Sequence, residues 1–146
     1  MRRLAIVFFF ALTNVIVSAQ KAEVFSTSAG AIKGYDPVAY FTVNKPVKGD
    51  PNISFRWNEA DWHFASQANL ETFKSSPEKY APQFGGYCAY GVSDNHKAPT
   101  EPDALTIVDG KLYLNYNNDV KSVWSKDRAG RIEKANELWP VMKNKE

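Results

Sequence analysis

The first nineteen residues constrain everything that follows, because they are unlike the rest of the chain. Arg2 and Arg3 precede a mostly apolar run from Leu4 to Val17 with Phe8, Phe9 and Phe10 at its centre, and Val17-Ser18-Ala19 ends it with small residues. This is the layout of a secretory signal peptide, a positive start, an apolar middle and a cleavage site. The run is shorter than the roughly 18 to 20 residues a spanning helix requires. The expectation is cleavage after Ala19, ordinary unfolded secretion to the periplasm or the exterior, and no stable membrane anchor after processing.

Removing residues 1–19 leaves residues 20–146, a single domain by size. Both leader arginines go with it, so 16 basic residues then face 16 acidic ones. A formally neutral chain lacks the basic excess of a nucleic-acid binder or an anionic-membrane binder. One cysteine, Cys88, remains. Export places it where an unpaired exposed thiol is a liability, so it has to be buried, ligated, reactive or paired with another chain.

The pattern along the chain is that of a small α+β domain: antiparallel β-hairpins packed with C-terminal helices. Residues 20–34 are small and polar apart from Val24 and Phe25, which reads as a loosely packed arm. Ile53 to Trp57 and Trp62 to Phe64 alternate apolar with polar about Asn58-Glu59-Ala60-Asp61, a hairpin in which His63 faces away from Trp62 and Phe64. Ser66 caps a helix over 67–75. Residues 77–102 are rich in Gly, Pro and aromatics and read as an irregular functional loop. A second hairpin, 105–108 with 111–116, turns on Asp109-Gly110. Helices follow over 119–126 and 131–139, the second stopped by Pro140. The four strands are expected to share one sheet.

No nucleotide-binding glycine loop, nucleophile elbow, zincin helix or paired-cysteine finger occurs in the sequence, which leaves Cys88, His63 and His96 as the candidates for chemistry. Gly85-Gly86-Tyr87-Cys88-Ala89-Tyr90-Gly91 clears space around the thiol with three glycines. A thiolate with one or two imidazoles is a good ligand set for copper or zinc. Against it stands a bland alternative for each residue: Cys88 as a packed small hydrophobe, His63 as a half-buried hydrogen-bonded histidine, His96 as a solvated loop side chain. A blue-copper site fails on its axial ligand, because Met142 lies far along a helix-rich end, and thiol redox chemistry lacks a resolving cysteine. Tyr35, Tyr40, Trp57, Tyr87 and Tyr90 lie near turns or loops, where aromatics line small-molecule pockets or interaction surfaces.

Four ordered motifs then resemble a family: Gly34-Tyr35-Asp36-Pro37-Val38-Ala39-Tyr40-Phe41, Trp62-His63-Phe64-Ala65-Ser66, Phe73 through Pro77-Glu78-Lys79-Tyr80, and Gly85 to Gly91. Together they look like the YHS-domain proteins, in their exported bacterial branch, over about residues 31–140. The resemblance implies metal handling, since short YHS domains are similar to cysteine-bearing metal-binding modules. Two thiol positions of that pattern are Ala39 and Ala65 here, so their ligands are missing, whereas His63 matches the family's histidine.

The resulting expectation is an exported metal-binding protein in metal handling. It would hold copper, or else zinc or nickel, on Cys88 and His63 with His96 as third ligand, and its partners would be the metal ion and a client or delivery protein. The glycine-rich loop would have to fold over the His63 side of the hairpin to bring His63 and Cys88 together. The competing expectation is a non-metal small-ligand or protein-interaction module in which Cys88 is structural. Catalysis ranks behind both.

Overall fold

The structure is a computed structural model that describes residues 22–145; the leader lies outside the described residues. Among these residues the chain is α+β, with three antiparallel hairpins and six α-helices. The hairpins do not join into the single sheet expected. β1 (Ser26–Thr27) pairs only with β2 (Gly30–Ala31), β3 (Asp50–Trp57) with β4 (Ala60–Phe64), and β5 (Leu105–Val108) with β6 (Lys111–Leu114). Two-stranded ribbons are marginal alone, so each must be held by what packs against it.

For β3–β4 that support is α2 (Gln67–Ser75), whose Ser66 hydroxyl accepts from the Asn69 N–H at 3.1 Å. Leu70 and Phe73 face the hairpin, and the Phe73 ring lies 5.2 to 6.4 Å from those of Phe55, Trp57, Trp62 and Phe64. Tilted and edge-on ring pairs of this kind add roughly 0.5 to 1.5 kcal/mol each beyond the area they bury. The alternation read from sequence holds: Trp62 and Phe64 are fully buried and His63 between them is half-buried.

Ahead of this hairpin, α1 (Ala39–Thr42) is a single turn started by Asp36, and behind it Pro77 opens α3 (Pro77–Tyr80). The N-terminal segment is not the loose arm expected. Val24, Phe25, Ala31 and Ile32 are all buried, and the Phe25 N–H donates to the Gly85 carbonyl at 2.9 Å. Gly85 makes this possible, because a Cβ there would collide with the Glu23 carbonyl.

The second half packs around β6. Leu112 and Leu114 enter the core formed with the β3–β4 hairpin, while Tyr113 points the other way into a second core with Phe84, Val92, Trp124, Ala135 and Met142. One strand therefore serves two cores, and Val24 and Phe25 divide between them in the same way. After α4 (Ala89–Ser93), α5 (Asn118–Ser125) is capped by Asn117, which accepts from the Val120 N–H at 2.9 Å. The last helix, α6 (Arg128–Met142), starts earlier than expected and does not stop at Pro140. Proline in a helix interior removes the bond to the carbonyl four residues back; that carbonyl belongs to the solvent-exposed Asn136, where water can replace it.

Lys97 ties the ends of this arrangement together. Buried to 3% exposure, its ammonium donates to the carbonyls of Lys143 and Lys145, each at 2.8 Å, and of Ala22 at 3.4 Å. It also sits 5.3 Å from the Tyr87 ring and 5.7 Å from the Trp139 ring. A cation suits this place, at the carbonyl end of α6 and over two ring faces.

Candidate ligand cleft and the cysteine and histidines

Cys88 stands at the N-cap of α4 with 2% exposure. Its sulfur accepts from the backbone N–H of Tyr116 at 3.3 Å and of Gly91 at 3.5 Å, and its S–H faces the Asn115 carboxamide oxygen at 3.5 Å. Asn115, fully buried, also accepts from the Tyr90 N–H at 3.1 Å. The thiol thus joins α4 to the chain leaving β6. Burial raises its pKa above the ordinary value, and the Gly91, Tyr116 and Tyr90 amides offset only part of the rise. A low-pKa thiolate, the form that ligates metal or attacks, is disfavoured by this surrounding.

His63 is placed elsewhere. Three glycines enclose it, though not those of the cysteine loop: Cβ atoms at Gly30 and Gly34 would lie 3.0 to 3.2 Å from its ring, and one at Gly49 would meet its backbone and Cβ. Gly85 and Gly86 pack instead on Glu23 and Ile32. The glycines that precede Cys88 thus close on the N-terminal segment. His96 follows α4, with its N–H bonded to the Gly91 carbonyl at 2.9 Å. Its neighbour Ala98 accepts from the Cys88 N–H at 3.0 Å, so the two backbones are close, yet the His96 side chain is exposed and the Cys88 thiol is buried. Among the described residues no group of three or more His, Cys, Asp and Glu side chains is placed to hold a metal ion.

Asp36, which the sequence marks only as part of the Gly34–Phe41 motif, organises the neighbourhood of the hairpin. Fully buried, it accepts from the N–H groups of Val38 at 2.8 Å and Ala39 at 3.3 Å through one oxygen, and from the Ala65 N–H at 2.8 Å and the Asn69 side chain at 2.7 Å through the other. Every one of these partners is a donor, which is what a buried carboxylate needs.

A cleft of about 240 Å³ lies where the tip of β3–β4, the segment after α3 and α6 converge. Trp57, Trp62, Phe84 and Trp139 supply its rings and Glu23 and Glu78 its charges. Trp62 is held by its indole N–H, which donates to the Trp57 carbonyl at 3.0 Å, and Trp139 by edge-on contact with Phe84 at 6.0 Å. Two residues on the rim, Asn58 and Phe84, have φ of 50° and 57°. For a bulky side chain such as Phe84 that backbone is strained, and strain of this kind collects at functional sites. A larger groove of about 600 Å³ between the β5–β6 turn and α6 is more open and has no aromatic side chain in its walls. Of the five loop aromatics singled out in sequence, Trp57 lines the cleft, Tyr40 and Tyr87 are core, and Tyr35 and Tyr90 are half-buried outside its lining; Phe84 and Trp139, not singled out, complete it from distant positions.

No protein family, no curated protein and no solved structure matches the chain. Among the described residues no helix is long and apolar enough to cross a membrane.

Proposed function

We propose that the chain is a non-metal small-ligand-binding module whose cysteine is structural, with the Trp57–Trp139 cleft as its site. The observation that carries this reading is the commitment of the Cys88 sulfur: it accepts two backbone N–H groups and donates its proton to Asn115. Ligating a metal would require removing that proton and, with it, the contact to the Asn115 oxygen in a buried place. The cleft supports the other half, since converging rings with a few polar groups are the usual composition of small-molecule sites. Its volume lies below the roughly 300 to 1,000 Å³ of drug-sized pockets, which favours a small ligand.

The leader extends the proposal to an exported protein acting outside the cytoplasm. It rests on the layout of residues 1–19 alone, and an intact mass beginning at Gln20 on protein from the native host tests it. The ligand site is tested by a fragment screen followed through backbone and indole N–H resonances. Fragments should shift the Trp57 and Trp139 indole signals together with the amides of Gln83 to Gly85. Shifts scattered over the surface, or centred on Cys88 and His63, would contradict the proposal.

A further inference from the structure

Building on that reading of the cleft, we infer that its ligand is a small organic cation, an alkylated or quaternary ammonium group. The lining contains two carboxylates, Glu23 and Glu78, and no Lys, Arg or His side chain. Glu23 is met from outside the lining by the Lys143 ammonium at 3.6 Å. Glu78, also in the lining, is exposed and forms no ion pair among the described residues. Its neighbour Lys79 is turned to the Tyr80 ring, 5.2 Å from the centroid.

The aromatic walls point the same way. Ring faces attract cations, indole most strongly, and cages of such rings are how proteins recognise alkylated ammonium groups. Trp139 carries the Lys97 ammonium, which lies outside the lining, at 5.7 Å, and Trp57 is the other indole that is only partly buried. An anion would face two carboxylates and the Trp57 and Trp139 rings with no cationic side chain in the lining itself. Trp57, Trp139 and Glu78 come from three separate elements, so the grouping is a product of the fold.

The test compares two probes of equal shape on the folded full-length mature chain. One is choline; the other is its carbon isostere, in which a quaternary carbon replaces the nitrogen. Titration is followed by tryptophan fluorescence and by the Trp57 and Trp139 indole resonances. Choline is expected to bind about tenfold more tightly than the isostere, the scale of a partly desolvated cation over rings. Glu78→Gln, at an exposed position, should lower choline affinity severalfold and leave the isostere unchanged. Trp139→Phe, which keeps an aromatic ring, should weaken choline binding less than Trp139→Leu, with the circular dichroism of each variant checked against the parent. Equal affinity for the two probes at the indole signals overturns the cation assignment while the cleft remains the ligand site. The absence of a saturable change with either probe overturns both.

Discussion

At Cys88 and Tyr40 burial acts on groups that are neutral at physiological pH and charged in alkali. Tyr40 is fully buried with its hydroxyl donating to the Pro102 carbonyl at 3.0 Å, and burial, then Tyr35 and Asp103, push its ionisation well above the ordinary range. Cys88 is raised by burial as well. For both, the folded chain holds the proton more tightly than the unfolded chain. The stabilisation is complete below the unfolded pKa and is lost as pH rises toward the folded one. Urea midpoints should therefore be flat through neutral pH and fall from about pH 9 upward, less steeply in Tyr40→Phe; a midpoint constant through that window would contradict the burial of both groups. The same buried thiol should react with iodoacetamide far faster in denaturant than in buffer. Asp36 is a buried side chain that accepts from four donors. Asp36→Ala strands them and should cost about 3 kcal/mol or more in urea unfolding, whereas a loss within 0.5 kcal/mol, the scale of a surface substitution, would mean the network is dispensable.

At the scale of elements the two long hairpins turn on two residues each, with unequal chemistry. Asp109-Gly110 has φ of 51° and 72°, and Gly110 takes its value without strain. In the other turn Asn58 has φ 50° and Glu59 φ 60°, a geometry for which Asn-Gly is preferred. Glu59→Gly should raise stability by about 0.5 to 1 kcal/mol, checked as a higher urea midpoint; a lower midpoint would contradict the left-handed assignment. This difference also explains what could be read in the chain. The Asp109-Gly110 hairpin, α2 behind Ser66 and the inward Trp62 and Phe64 announce themselves through local pattern. Glu59 hides a tight turn, so β4 begins two residues before its alternation suggests. Residues 22–34 look polar because their burial is made by Gly85, over fifty positions away, and Pro140 looks like a stop because the solvent that satisfies the Asn136 carbonyl leaves no trace in sequence. The alternation of 111–116 puts Leu112, Leu114 and Tyr116 on one face; the first two are buried, whereas Tyr116 lies past the end of β6 and is exposed, and Tyr113 is missed, since a strand between two cores is buried on both faces.

The molecule as a whole places its candidate residues by long-range packing, and this is where the functional reading turns. Cys88, His63 and His96 were legible as the residues able to ligate a metal, but residue types do not say where side chains point. The glycine loop closes on residues 23–32, Cys88 turns inward to Asn115, His63 settles among Gly30, Gly34 and Gly49, and His96 faces solvent. The cleft draws Glu23, Trp57, Glu78, Phe84 and Trp139 from positions 23 to 139, a grouping with no local signature. Lys97 joins Ala22 to Lys143 and Lys145, the two ends of the described residues. The most direct test of a structural cysteine in a non-metal module is a copper titration of the mature parent chain and of Cys88→Ser, each with elemental analysis and a check that it remains folded. Neither protein is expected to hold copper tightly at one per chain. One copper per parent chain, lost in a folded Cys88→Ser, would contradict it and return the thiol to a metal site.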